Sequence, residues 1–279
     1  MRVGVDTYSF HRFLGEVYPH QSTPPPMDYL SVVERVLEMG VDGVFIETCF
    51  LEEDERRQLR TIRSLVRNSG VEALLAWGHP FGLHGGDSDE AQRDLESAIG
   101  LCEQLGSRSM RIVGSNRRLM TTAKQTQLQR LAERLRVSIR IAESAGVRLA
   151  IENHLDFSTR DLLQLIDMVE SDYLGITFDT GNALRMGEDP VEAAATAGKH
   201  VFMTHMKDVF PIYGGNPVNW SFFAAVPCGT GIINLPGVVK SLTDAGYRGF
   251  YAVEVDDLHP KYSDEFDAVI NSVAYLKSL

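Results

Sequence analysis

The sequence contains only three cysteines, Cys49, Cys102 and Cys228, and they are far apart along the chain. An odd number without a CxxC pair makes a disulfide framework unexpected and a reducing compartment the default. The first residues lack the apolar core and the small-residue cleavage site of a signal peptide, so none is expected. No apolar stretch reaches the roughly 18 residues that a membrane span needs. We therefore expect a cytoplasmic protein with no membrane partner.

Positive charge is also scarce. The chain has 27 Lys and Arg residues against 38 Asp and Glu residues, which gives a formal net charge of −11. Such a chain repels nucleic acid unless its basic residues gather on one face, and the sequence has no basic run. It also lacks the GxSxG motif of a serine nucleophile. A nucleic-acid partner and a Ser-His-Asp triad are therefore not expected.

Short apolar runs alternate with amphipathic ones along all 279 residues. The runs predict eight strands, at 2–8, 43–47, 71–77, 109–113, 147–152, 174–179, 200–205 and 250–255. Most are continuously apolar, as in a parallel sheet covered on both faces. Helical patterns lie between them, and the clearest, at 121–145, has apolar residues at spacings of three and four. This order predicts a single (β/α)8 TIM barrel, with residues 1–279 as one domain. A doubly wound open sheet is the alternative, but the usual Gly-rich turn after an early strand is missing.

Four of the last predicted strands end in side chains that can bind a metal. Glu152, Asp179, His205 and Glu254 close the fifth to the eighth strand in turn. The carboxyl ends of barrel strands form the active-site face, so these groups should meet. Three carboxylates and one imidazole cannot all stay charged together without a cation. The donor set favours one divalent ion, first Mn²⁺, with Mg²⁺, Co²⁺ or Zn²⁺ as alternatives. Taken alone, each of these residues could instead have a structural role, as a helix cap or as a partner in an ion pair.

Further polar residues follow the same strand ends. Glu47 ends the second strand, His79 follows the third, and His154 and Lys207 lie two residues past Glu152 and His205. We predict that these four residues bind substrate, Lys207 by contacting an enolate oxygen or a carboxylate. A structural loop histidine, or an ion pair between Lys207 and Asp208, is the alternative. Arg111 lies on the fourth strand, where the sequence does not determine its side-chain direction.

Several motifs together resemble those of the xylose-isomerase-like superfamily of sugar isomerases and epimerases, which also contains zinc-dependent AP endonucleases. They are "AIENHLDFST", "TFDTGNALRMGEDPVEA", "THMKD" and "AVEV", and the resemblance covers the whole chain in order. It implies that Glu152, Asp179, His205 and Glu254 bind one divalent ion. It also implies that the two glutamates exchange protons with substrate on opposite faces, as the catalytic pair.

One residue departs from the pattern of that superfamily. Many of its isomerases and epimerases read Asp-Thr-Gly-His, whereas this chain has Asn182 in the last position. An asparagine lacks the proton activity of a histidine, and we predict that Asn182 binds substrate. The combination resembles a branch that acts on 3-keto sugars, with decarboxylases and C-glycoside-cleaving lyases.

These observations lead to a principal hypothesis and three alternatives. The chain is expected to be a metal-dependent isomerase or epimerase of a keto or aldo sugar that works through a metal-stabilised enediolate. The same intermediate supports the alternative, a metal-dependent lyase on a 3-keto sugar. A DNA-repair endonuclease is opposed by the acidic composition, and a noncatalytic barrel by the retention of all four ligands.

Two connections are longer than ordinary loops, at 11–26 and 208–231. The second contains Trp220, Phe222 and Phe223 and is too apolar for disorder. It is expected to cover the site or to contact another subunit, so a homo-oligomer or a partner subunit is predicted. The same segment contains Gly229-Thr230-Gly231, which suggests either a phosphate site or a tight turn before a helix.

Overall fold

The computed structural model describes residues 1–52, 54–116, 122–212 and 222–279. In these residues, eight parallel strands close into a barrel, with the last strand hydrogen-bonded to the first. The barrel strands are β1 (Val3–Asp6), β2 (Gly43–Glu47), β3 (Glu72–Ala76), β4 (Ser109–Val113), β5 (Arg148–Glu152), β6 (Leu174–Asp179), β7 (Val201–Met206) and β10 (Tyr251–Val253). The predicted (β/α)8 TIM barrel is confirmed, and the open-sheet alternative is wrong. That residues 1–279 form one domain stays a prediction.

Helices lie between the strands in chain order. They are α1 (Tyr29–Glu38), α2 (Glu55–Asn68), α3 (Asp89–Leu105), α4 (Lys124–Ala145), α5 (Thr159–Val169), α6 (Thr180–Arg185), α7 (Pro190–Ala197), α8 (Leu235–Asp244) and α9 (Glu265–Ser278). Side chains that accept from backbone N–H groups set their starts, as Ser158 does in a capping box at α5 and Asn234 does at α8. No helix in the described part of the chain combines the length and apolar character that crossing a bilayer requires.

The strands are buried on both faces, which explains their continuous apolar runs. A small cluster with Phe45, Met203 and Phe250 packs together, and a larger cluster joins the strands to the helices. The last strand is shorter than the predicted 250–255, since it ends at Val253. Glu254 therefore lies directly after it, at the rim of the barrel.

The segment 208–231 begins and ends in regular structure. β8 (Asp208–Pro211) pairs antiparallel with β9 (Phe223–Val226), so the base of the segment is a two-stranded ribbon and not an irregular loop. Phe210 and Phe222 are exposed on it, while Trp220 lies outside the described residues. Whether the ribbon covers the site or contacts a second subunit stays a prediction.

Candidate metal centre and adjoining cavity

The structure brings the four predicted ligands together at the carboxyl end of the barrel. One potential ligand atom from each of Glu152, Asp179, His205 and Glu254 lies within 4.8 Å of all the others. The strands that present them, β5, β6, β7 and β10, are neighbours in the sheet, and Asp179 pairs in register with His205. All four side chains are buried. The common end of parallel strands therefore places these acids and the imidazole around one point.

His205 lies at the centre of this cluster. Its Nδ1 is 2.6 Å from Oε2 of Glu254, 3.6 Å from Oε1 of Glu152 and 3.8 Å from Oδ2 of Asp179. Its other nitrogen, Nε2, is 3.0 Å from Oδ2 of Asp6. Histidines that bind metals commonly have a carboxylate at this second nitrogen, and Asp6 lies in that position. Our reading of the sequence missed Asp6, although it is also an acid at a strand end.

The carboxyl groups of the cluster differ in their pKa values. Burial raises the pKa of Asp179 to about 7, although the Lys207 ammonium opposes the shift. Burial alone would also raise the pKa of Glu254, but His205 and Lys207 lower it to about 2. Burial is likewise outweighed at Glu152, where His205 helps to hold the pKa well below its usual range. The protein's own cations therefore keep the two glutamates ionised but leave Asp179 partly protonated near neutral pH.

The chemistry of the cluster fits a divalent cation. Ion pairs link the cluster, directly or through one intervening group or two, into a set of six carboxyl groups and three permanent cations: Asp6, Glu47, Glu152, Asp179, Glu254 and Asp256, with Arg111, Arg185 and Lys207. Nδ1 of His205 and Oε2 of Glu254 are buried and have no hydrogen-bond partner among the described residues. With all six carboxyl groups ionised, the set would carry a negative excess, most of which a divalent ion would remove, and the ion would use both atoms. These four residues can therefore hold a metal ion.

Asn182 holds two of the four residues in place. Its Nδ2 donates to Oε1 of Glu152 at 3.1 Å and to Oδ2 of Asp179 at 2.9 Å, and its backbone N–H donates to Oδ1 of Asp179. Nη1 of Arg185 donates to the amide oxygen of Asn182 at 3.4 Å, which orients the amide. Asn182 is buried behind the cluster, and the described cavity wall does not include it. Its binding to substrate stays a prediction.

Lys207 is surrounded by carboxylates. Its Nζ is 2.9 Å from Oδ2 of Asp179, 3.3 Å from Oε2 of Glu254 and 3.2 Å from Oδ2 of Asp256. The ammonium is therefore in ion-pair contact with three carboxylates of the site. The close approach needs a small neighbour, because a Cβ on Gly181 would lie 2.9 Å from Cβ of Lys207. Binding of substrate by Lys207 stays a prediction.

The Gly229-Thr230-Gly231 turn surrounds a carboxylate of the protein itself. Backbone N–H groups of Gly229 and Gly231 donate to Oδ2 of Asp208, both at 2.9 Å, and those of Val209 and Ile233 donate to Oδ1. A Cβ on Gly231 would lie 2.1 Å from Oδ1 of Asp208, so glycine is needed there. Of the two alternatives, the tight turn agrees with the structure. Asp208 is thus engaged by backbone donors and not by Lys207.

A cavity of about 320 Å³ opens beside the cluster. Glu152 and Glu254 line it, together with three of the residues predicted to bind substrate, Glu47, His79 and His154. Burial lowers the pKa of both histidines, so they are neutral imidazoles near pH 7. The cavity thus combines the two glutamates with groups that can donate and accept hydrogen bonds.

Arg111 also lines this cavity, and the structure determines its direction. The side chain points inward from β4 and forms an ion pair with Glu47. Its Nη1 donates to the carbonyl of Trp77 at 3.3 Å, and its Nε lies 3.5 Å from Oε2 of Glu152. Only 7% of the residue is exposed.

Comparisons with known proteins agree with this architecture. The model of the family described as xylose isomerase-like TIM barrel matches residues 33–279. The chain is 27% identical over 245 residues to "Putative L-ribulose-5-phosphate 3-epimerase SgbU" of Escherichia coli (strain K12), a match that covers 81% of this chain and 84% of that protein. It is 27% identical over 247 residues to 3-oxo-isoapionate decarboxylase of Pectobacterium atrosepticum, covering 87% and 81%. The crystal structure of the IOLI protein, which contains a zinc atom, superposes with a TM-score of 0.74 at 16% identity and covers 100% of this chain and 97% of that one.

Proposed function

We propose a function from one premise: this chain belongs to the xylose isomerase-like TIM barrel family. The proposed activity is the divalent-metal-dependent isomerisation or epimerisation of a keto or aldo sugar. One observation carries it: Glu152 and Glu254 both belong to the four-residue cluster and both line the same cavity. Two carboxyl groups at one cavity can supply a base, when ionised, to remove a proton and an acid, when protonated, to return one.

A bound ion would act as a Lewis acid, polarising the sugar carbonyl so that the neighbouring C–H becomes acidic. Glu152, Asp179, His205 and Glu254 would hold that ion, and Mn²⁺ is proposed first, with Mg²⁺, Co²⁺ and Zn²⁺ as alternatives.

The protein's own residues prepare the two carboxylates for proton transfer. Asn182 donates to Oε1 of Glu152, while the Lys207 ammonium faces Oε2 of Glu254. Both glutamates are almost fully buried, so little bulk water lies between their carboxyl groups and a bound substrate. Return of the proton by the same glutamate to the neighbouring carbon gives isomerisation. In epimerisation the glutamate on the opposite face carries a proton from the start and delivers it to the same carbon, while the first glutamate keeps the proton that it removed.

The substrate is proposed to lie in the cavity between these glutamates and the two neutral histidines. Its volume is at the lower end of the range of about 300–1,000 Å³ typical of small-molecule sites. His79 stacks on the Trp77 ring, with centroids 5.3 Å apart, which fixes its imidazole at the wall. His79 and His154 can donate to or accept from sugar hydroxyls without adding charge.

A lyase on a 3-keto sugar is the second candidate. The relative named 3-oxo-isoapionate decarboxylase supports it, because the match covers 87% of this chain. Asn182 supports it as well, since this residue replaces the histidine of the Asp-Thr-Gly-His motif. In decarboxylation, departure of CO2 would leave its bonding electrons as the enolate, which one of the two glutamates, carrying a proton, would then protonate. In cleavage of an aglycone, one glutamate would remove the proton and the aglycone would leave from the adjacent carbon with its bonding electrons.

Incubation in D2O tests both candidates. Purified protein with Mn²⁺ is mixed with a panel of ketoses, aldoses and 3-keto sugars and followed by NMR and mass spectrometry. Deuterium next to the carbonyl with an unchanged carbon count supports the isomerase or epimerase. A product lighter by carbon dioxide or by an aglycone supports the lyase.

The matched variant is Glu254→Gln, which keeps the shape of the side chain and removes its proton activity. We expect turnover to fall by about 10²–10⁴-fold, with an unchanged far-ultraviolet circular dichroism spectrum. Full turnover in this variant would contradict the proposed role of Glu254.

A further inference from the structure

We propose that Arg111 is a further catalytic residue, which binds the substrate oxygen that becomes negatively charged when the proton is removed. The inference rests on the proposed enediolate chemistry, in which Arg111 has no role so far. It is carried by the arrangement of the guanidinium donors.

Two nitrogens of the guanidinium are engaged by the protein. Nη2 pairs with Oε1 of Glu47, and Nη1 donates to the carbonyl oxygen of Trp77. Attachment at these two points fixes the plane of the group, which is buried at the wall of the cavity. A guanidinium held in this way does not need to reorganise when charge develops beside it.

The third nitrogen has no such partner. Nε of Arg111 is a buried atom without a hydrogen bond among the described residues, and its ion-pair contact with Glu152, at 3.5 Å, is too long to be one. A buried N–H without an acceptor is unfavourable, so its presence at a cavity wall indicates that a ligand supplies the acceptor. Nothing else at the described wall carries a permanent positive charge.

The position of this N–H matches the proposed reaction. Nε lies 3.5 Å from Oε2 of Glu152, the carboxylate proposed to exchange the proton. An oxygen that accepts from Nε would therefore lie next to the carbon whose proton Glu152 transfers. Because the site is buried, a fixed positive group there stabilises negative charge more strongly than it would in water.

Removal of Arg111 alone would leave the Glu47 carboxylate buried and unpaired, so the two variants that change Arg111 preserve charge balance. Arg111→Lys keeps the positive charge but lacks Nε, and the double variant Glu47→Gln/Arg111→Gln removes both charges together. Glu47→Gln alone keeps the guanidinium. Arg148→Gln, on an exposed arginine at the amino end of β5, is the surface control.

The test compares two ligands by titration calorimetry with Mn²⁺ present. One is a four-carbon aldonohydroxamate, a planar anionic mimic of the enediolate, and the other is the uncharged sugar alcohol of the same length. We expect both Arg111 variants to bind the hydroxamate about 10- to 100-fold more weakly and the sugar alcohol less than about threefold more weakly. The affinity for Mn²⁺ alone should not change.

Each other outcome overturns the proposal. Equal weakening for both ligands, or none for either, would leave Arg111 with a structural role only. A matching loss of Mn²⁺ affinity would mean that Arg111 acts by holding Glu152. A wild-type protein that does not prefer the hydroxamate would exclude an oxyanion site. If the D2O experiment alone fails, the hydroxamate result still stands, so the two failures are distinguishable.

Discussion

Removal of the Lys207 ammonium should destabilise the metal-free protein. Lys207→Met deletes a charge that lies within 3.3 Å of three carboxylate oxygens, on Asp179, Glu254 and Asp256. Only 3% of the side chain of Lys207 is exposed, so water cannot replace the ammonium. Loss of one partner from such a buried ion pair typically costs about 3–5 kcal/mol.

The expected change in melting temperature follows from the size of the chain. At about 2.1 cal/mol/K per residue, 279 residues have an unfolding entropy of about 0.6 kcal/mol/K. The loss therefore corresponds to a fall in Tm of about 5–8 °C, measured by circular dichroism in EDTA. Saturating Mn²⁺ should raise the Tm of the variant by more than it raises that of the wild type, because the ion takes over the charge that Lys207 supplied.

Lys240→Met is the matched control for this experiment. Lys240 pairs with Asp244, but their side chains are 75% and 64% exposed, so its removal should change the free energy of unfolding by less than about 1 kcal/mol. A Lys207→Met protein that melts within about 2 °C of the wild type in EDTA would refute the reasoning. Equal Mn²⁺ shifts in variant and wild type would show that the ion and the ammonium do not share carboxylates.

Two further predictions concern residues behind the site. Asn182→Ala removes the donor to Glu152 and Asp179, and we expect about 10- to 100-fold weaker Mn²⁺ binding in a calorimetric titration; an unchanged affinity would contradict the role of the amide. Asp208→Ala leaves four backbone N–H groups without their acceptor, so urea unfolding should show a free energy of unfolding that is lower by about 2–4 kcal/mol. Asp208→Asn should lower it by less. A decrease below about 0.5 kcal/mol for the alanine variant would mean that water satisfies these groups.

The elements of the fold could be predicted because their signals are local. Continuous apolar runs mark the strands, and side chains such as Ser158 and Asn234 mark helix starts within a few residues. The ribbon of β8 and β9 was not predicted, because its strands are short and pair across an intervening segment. The prediction of a long loop at 208–231 therefore missed these two strands, Asp208–Pro211 and Phe223–Val226.

The candidate ligands could also be predicted, for a geometric reason. In a parallel barrel, the carboxyl ends of all strands share one rim, so an acid or a histidine at the end of any strand lies at that rim. This rule covers Glu152, Asp179, His205 and Glu254. Applied to the first strand, it would also have indicated Asp6, which the structure places 3.0 Å from His205.

The sequence by itself therefore determined the order of strands and helices and the set of candidate metal-binding side chains at the barrel rim. Only the tertiary structure decided how those side chains are held: Asn182 against two carboxylates, Arg111 turned inward to Glu47, and Asp208 enclosed by a turn more than twenty residues away. The physical reason is the range of the interactions. Periodicity and capping act over a few residues, whereas a hydrogen bond or an ion pair depends on distances that exist only once the barrel has closed.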